Sequence, residues 1–289
     1  MSALGVARVD LRTAARSRMV WWLTAVLTAL SVVGVSLVAL LDVEGATVVD
    51  AVGPLSLPAV LLVPLAAIVV GYEAVVGERR SGSLKVLLGF PVSRAAVVVG
   101  KVTARASTVT LAVVVAFGVA GAVAAVLYDG VPAGRYLAFT LATIGLGVAF
   151  VGLSVGISTA VATHGRALAL AVGSYLLLVL FWKPVVAGVH YAATGAVPGN
   201  EVPAWYLLLE RVSPTVAYDV LTRAALDTSA TASVFAVRPP AASAASVSAQ
   251  LGGAPVPWYL SNLAAVLVVC AWTVLPVAVG LVRFRRRDL

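Results

Sequence analysis

The chain holds a single cysteine, Cys270, and therefore can close no internal disulfide. Its two histidines, His164 and His190, and its two methionines, Met1 and Met19, lie far apart, and no Cys/His metal spacing occurs. A soft-metal pathway needs thiolate, thioether or imidazole ligands close together. No resident metal or cofactor is expected. Charge is scarce too: Asp, Glu, Lys and Arg make up 11% of the residues, against about a quarter in a soluble domain.

What is present in excess is apolar surface. Hydrophobic residues account for 61% of the 289 positions, with a mean hydropathy of +1.05. One soluble core cannot bury that much; a bilayer can. Six stretches approach the roughly 20 residues that a hydrocarbon core demands: Val20–Leu41, Leu55–Val76, Ser107–Leu127, Tyr136–Thr163, Arg166–His190 and Tyr259–Val282. The first follows an Arg-rich start but is longer than the apolar region of a signal peptide, and further spans come after it. It reads as an uncleaved span. The expected fold class is an all-α membrane protein with six transmembrane helices in one domain, residues 1–289, with no room for a second folded module.

Charge orients the chain. Lys and Arg collect in cytoplasmic loops. Assigning alternate connections to one side gathers Arg8, Arg12, Arg16 and Arg18, then Arg79, Arg80, Lys85, Arg94, Lys101 and Arg105, then Arg166, then Arg283, Arg285, Arg286 and Arg287. These 15 bases face four acids, a difference of +11. The opposite side has five bases and eight acids, −3, and the two sides total the +8 of the whole chain. The expected topology places the N- and C-termini in the cytoplasm and the protein in the plasma membrane of a prokaryote. The basic residues are spread over several loops facing a membrane surface, which argues against nucleic-acid binding.

Residues 2–18 have the spacing of an amphipathic interfacial helix. Leu4, Ala7, Leu11 and Ala14 share one stripe, and Arg8, Arg12 and Arg16 lie beside it. Such a helix serves either as a plain lipid anchor or as a platform for a cytoplasmic partner. Two long connections follow. The extracytoplasmic one, 191–257, contains an aromatic pair, Trp205-Tyr206, suited to a membrane interface. It also contains Ser213-Pro214, a cap followed by proline that starts a short amphipathic helix with Val216, Ala217, Val220, Leu221 and Ala224 on its apolar face. Its second half, Asp227–Pro257, is rich in Ala, Ser, Pro and Gly.

The cytoplasmic connection, 72–107, carries the docking physics. Glu78-Arg79-Arg80 closes the second span. Ser83–Leu88 forms about two turns with Leu84, Leu87 and Leu88 on one side before Gly89 and Pro91 stop it, and Ser93 caps the next helix, which carries Arg94, Lys101 and Arg105. A short apolar-faced helix held between two spans fits a groove on a soluble partner; the plainer reading is an amphipathic connector.

The pattern Glu78-Arg79, Gly82-Ser83-Leu84, Leu87-Leu88, Pro91-Val92-Ser93-Arg94 and Gly100-Lys101 resembles the ABC-2 exporter permeases. The similarity is greatest to the branch containing the permease of the nitrous-oxide-reductase maturation transporter. The tail is similar as well: Gly280, Phe284, Arg286, Arg287, Asp288 and Leu289. The resemblance implies a permease homodimer working with two copies of an ABC ATP-binding subunit. The family's amphipathic and coupling helices would fall on residues 2–18 and 83–88. Arg8, Arg12, Glu78, Arg79, Ser83, Leu84, Leu87, Leu88 and Arg94 are then the candidate contacts to the ATPase. Membrane lipid is the other expected partner, and metalloenzyme maturation is one role that the resemblance implies.

The chain is not expected to be an enzyme itself. Its nearest approach to a phosphate-binding loop is Gly100-Lys101, with Ala95 in place of the first glycine and Val102 in place of Ser/Thr. Gly152-Leu-Ser154-Val-Gly156 matches a nucleophile elbow in form, but it lies inside an apolar span. There Gly152, Gly156 and Ala160 make a small-residue stripe for helix packing. Lys183, near the outer end of the fifth span, and Glu73, near the inner end of the second, read as interfacial residues. A stand-alone secondary transporter is the alternative function; it would show an acidic relay buried at mid-membrane. An intramembrane enzyme is the third class.

Overall fold

The computed structural model describes residues 5, 7–8, 18–41, 47–81, 93–128, 130, 132–227, 241 and 243–286. Within them there is no strand, and six helices are long and apolar enough to cross a membrane: Val20–Leu40, Val48–Ser81, Arg94–Leu127, Ala133–Ala160, His164–Thr194 and Asn262–Arg285. The six expected spans are all present, several of them longer than hydropathy alone implied. The expected interfacial helix, apart from Gly5, Ala7, Arg8 and Arg18, and the expected coupling helix at 83–88 lie outside the described residues.

The first span is α1 (Arg18–Leu40). The second is composite: α2 (Val48–Val52), a 3-10 turn at Gly53–Leu55, α3 (Ser56–Gly71), a turn over 72–75, and α4 (Val76–Ser81). Its start is capped by Thr47, whose backbone N–H and hydroxyl both donate to Asp50 Oδ2, at 2.9 and 2.7 Å. The third span is α5 (Arg94–Leu127), 34 residues in one helix. At 1.5 Å per residue it is about 50 Å long, roughly 20 Å more than the hydrocarbon core. The helix carrying Arg94, Lys101 and Arg105 is thus the projecting end of the third span, and Ser93 Oγ caps it by accepting from Ala96 N at 3.1 Å.

The fourth span is α6 (Ala133–Ala160). The fifth consists of α7 (His164–Tyr175), a π-helical stretch at Leu176–Phe181, and α8 (Trp182–Thr194). Gly195 ends it in the left-handed region, at φ 74°. Then come α9 (Ala204–Arg211), α10 (Pro214–Leu226) and α11 (Ala244–Gln250), and the sixth span is α12 (Asn262–Arg285).

Spans two and four are the most enclosed; spans one, five and six present wide apolar faces. Spans four and six share the most extensive helix contact, and glycine makes it close. A Cβ at Gly156 would sit 2.5 Å from the Pro276 carbonyl oxygen, and one at Gly280 would sit 2.5 Å from the Gly156 oxygen. A Cβ at Gly152 would overlap the Thr273 backbone. Without a hydrophobic force between helices in lipid, this backbone approach is what yields dispersion contact. Ala160 is buried one turn further on.

The connection between spans five and six departs from its sequence reading. Helix α10 starts at Ser213-Pro214 as expected, yet it is enclosed on almost every side, including Thr215, Asp219, Thr222 and Arg223, and it packs against spans four and six. With α9 it forms a hairpin that folds back among the spans. The sequence reads as a one-faced amphipathic helix because its polar residues are satisfied by partners that only the tertiary fold supplies. The aromatic pair also divides: Tyr206 is fully buried while Trp205 is exposed, and both rings pack on His190, with centroids 5.2 and 5.8 Å away.

Candidate functional site

Two constructions stand out, one at each end of the bundle. At the basic end, the turn over 72–75 breaks the second span and exposes the first N–H groups of α4, a helix terminus that needs acceptors. Ser158 of the fourth span supplies one. Its buried Oγ accepts from both Val75 N and Val76 N, each at 3.1 Å. Three residues on, Arg79 Nη1 donates to Val161 O, the carbonyl just past the end of α6, at 3.0 Å.

The sixth span arrives at the same place. Arg79 and Arg94 both lie over the Phe284 ring, their guanidinium carbons 5.0 and 5.2 Å from its centroid. Arg94 Nη1 also donates to Phe284 O at 2.7 Å and to Arg285 O at 3.4 Å. A cation at carbonyls that end a helix matches the sign of the helix dipole. Lys101, buried within α5, meets Glu78 Oε1 at 2.5 Å.

Of the residues named from sequence, Glu78, Arg79 and Arg94 come together here, joined through Phe284 and Lys101. Arg8 is exposed in the short described N-terminal stretch. Arg12, Ser83, Leu84, Leu87 and Leu88 lie outside the described residues. Both ends of the intervening segment, Ser81 and Ser93, leave from this one frame of spans two, three, four and six.

The second construction is the seat of the hairpin. The fifth span is π-helical over Leu176–Phe181, and within that stretch the carbonyl of Leu178 is met by side chains. Thr215 Oγ1 donates to it at 2.7 Å and Ser213 Oγ at 3.3 Å. One turn along, Trp182 Nε1 donates to Leu209 O and Glu210 O, at 3.2 and 3.0 Å. From the other side Trp272, near the middle of span six, donates to Val212 O at 2.7 Å. Thr143 of span four and Tyr218 of α10 share a hydrogen bond of 3.2 Å.

Lys183 corrects the sequence reading. It is not an interfacial, snorkelling residue: its side chain is 12% exposed and Nζ lies 2.8 Å from Asp219 Oδ2, itself 8% exposed. Asp219 had been counted with the loop acids, and its buried pairing is what sequence reasoning missed. Opposite charges at the same depth on span five and α10 were the available signal. Glu73, by contrast, stays half exposed, with Oε1 3.1 Å from His164 Nδ1.

The elbow-like pentapeptide is a packing element. Ser154, centre of the elbow-like pentapeptide, is fully buried in α6, and its hydroxyl is used in hydrogen bonds to Ala67 O and Val151 O at 3.1 and 3.2 Å. Among the described residues no group of three or more His, Cys, Asp or Glu is placed to hold a metal ion. The bundle thus has a braced frame at one end and a gripped hairpin at the other, joined by spans four and six.

The family described as "ABC-2 family transporter protein" matches residues 4–289. A "Probable ABC transporter permease protein NosY" of Stutzerimonas stutzeri is 29% identical, covering 98% of this chain and 97% of its own length. The protein of the same name from Pseudomonas aeruginosa is 30% identical, with 98% of each chain covered.

Proposed function

The chain belongs to the ABC-2 family of transporter proteins, and on that premise we propose that it is the permease subunit through which ATP hydrolysis by a separate subunit drives export. In this reading two copies of the permease pair with two ATP-binding subunits. Those subunits press on residues 2–18 and 83–88, and the force enters the bundle through the frame around Phe284. The observation that carries the reading is that frame. Arg79 and Arg94 flank the two ends of the segment 82–92, and both act on the end of span six through Phe284. A push on the segment therefore reaches spans four and six, and with them the hairpin. Energetically, ATP must favour one conformation over the other, and a rigid element shared by both sites is the physical link that coupling requires.

The basic end then faces the cytoplasm. Of the five bases assigned to the other side, Arg211 and Arg223 are buried, as is the acid Asp219, and Lys183 is 12% exposed, which leaves that surface poorer in cations than a loop count suggests. The resemblance of the Glu78–Lys101 motifs to the nitrous-oxide-reductase maturation branch supports a role in metalloenzyme maturation, with the permease lodged in a prokaryotic plasma membrane.

Co-purification with the ATP-binding subunit encoded alongside tests this. The native chain should retain that subunit and stimulate its ATPase activity, and Leu84→Asp with Leu87→Asp should abolish both. Unchanged association and stimulation in the double variant would refute the docking assignment. Cysteines at Ser81 and Ser243 in a Cys270→Ser background should react from opposite sides of the membrane; reaction from one side would refute the topology.

A further inference from the structure

A cleft of about 640 Å³ opens at the basic end, between the start of span one, the end of span two, span three and the start of span five. It brings apolar span ends next to charged residues: Val20 is the first residue of the first span, and Val69 and Val70 lie in the last turn of α3. These valines are the apolar part of its lining, and Arg80, Arg105, His164 and Glu73 are charged or titratable parts of it. Glu73 gives one oxygen to His164, yet its side chain remains 53% exposed.

We propose that this cleft seats one phospholipid whose headgroup bears a primary amine, as in phosphatidylethanolamine. A soluble anion would use the arginines and gain nothing from the valines; a headgroup carrying acyl chains uses both. Arg80 and Arg105 suit the phosphate, because guanidinium offers forked donors to its oxygens. Glu73 suits the ammonium. A glycerol headgroup carries the same phosphate but brings no cation to Glu73, while Glu78 already has Lys101 at 2.5 Å. A choline headgroup has the positive charge but no N–H to donate to the carboxylate. The inference rests on the cleft and not on ATP coupling, so it stands or falls separately from the function proposed above.

The test is native mass spectrometry of the full chain released from nanodiscs of equimolar phosphatidylethanolamine, phosphatidylglycerol and phosphatidylcholine. One bound phosphatidylethanolamine should be retained several-fold over either competitor. Glu73→Gln should bring that ratio close to one, and Arg80→Gln with Arg105→Gln should reduce retention of all three. Gly77→Leu places a side chain in the cleft without removing a charge, and should expel the lipid while thermal stability is kept. If the double arginine variant does not fold, the Glu73 and Gly77 variants still decide the matter. Equal retention of the three lipids, or a full lipid complement in Gly77→Leu, overturns the proposal. Inorganic phosphate at millimolar concentration shares the phosphate chemistry; displacement of the lipid by it would mean a free-anion site and would overturn the proposal as well.

Discussion

Trp272 donates its indole N–H to the carbonyl of Val212 at 2.7 Å, from the middle of span six to the turn of the hairpin. Four residues further along that span is Pro276, which has no N–H to return to the Trp272 carbonyl and whose own carbonyl lies against Gly156 of span four. Span six thus lacks one ladder hydrogen bond where it holds the hairpin and braces span four. Its other end is the one gripped by Arg94. One helix connects the two constructions.

Removing one member of the Lys183–Asp219 pair should destabilise the protein strongly, because the remaining charge stays buried. Lys183→Met or Asp219→Asn should each cost about 3–5 kcal/mol, and the double variant Lys183→Met/Asp219→Leu should recover most of it. Chemical denaturation in detergent measures both. A double variant no better than the singles would mean that the pair has further partners that matter more.

Glycine substitutions should divide by position. At Gly156 a Cβ meets Pro276 backbone, so Gly156→Ala must push spans four and six apart and should lower the thermal midpoint clearly. At Gly173 and Gly188 nothing lies within 4 Å of the added carbon, and alanine there should be neutral or stabilising by up to about 1 kcal/mol. Thermal unfolding of the three single variants checks the contrast.

Ser158→Ala removes the acceptor shared by two buried amides. The cost should be about 1–3 kcal/mol, localised at the break in span two. Hydrogen exchange should accelerate at Val75 and Val76 while amides in the middle of α3 keep their protection. Uniform acceleration along the span would contradict a local capping role.

Much of this was legible in the sequence, and the boundary is physical. Span count came from apolar runs, since each run needs only its own length to be recognised. Ser93 and Ser213 were readable as caps because capping is local. The frame was half visible: Glu78, Arg79 and Arg94 drew attention through their motif. Phe284 sits 190 residues from Arg94 along the chain, and no periodicity links them. The hairpin was the largest miss. A helix with Thr215, Asp219, Thr222 and Arg223 on its polar side looks water-facing until Leu178 O and Lys183 Nζ are known to be its partners. Leu178 lies in the π-helical turn Leu176–Phe181 and Lys183 just beyond it, and that turn leaves no mark on hydropathy.

The hairpin's hold on span five should depend on two hydroxyls. Ser213→Ala with Thr215→Val leaves the Leu178 carbonyl without either donor, and proteolysis or hydrogen exchange across 204–226 should increase while the basic end stays protected. Ser213→Thr keeps a hydroxyl and should restore part of the protection. No difference between these variants would mean that Trp182 and Trp272 suffice.

The central claim is that an ATP-driven push at the basic end is felt at the hairpin. It is tested most directly by the thiol reactivity of Val212→Cys in a Cys270→Ser background, in the complex with its ATP-binding subunit, with and without a non-hydrolysable ATP analogue. Reactivity should change on nucleotide binding; a tenfold change would correspond to a differential of about 1.4 kcal/mol between the states. That response should vanish in Glu78→Gln/Lys101→Met or Leu84→Asp/Leu87→Asp. The same reactivity with and without nucleotide, in a complex shown to bind it, would contradict the account.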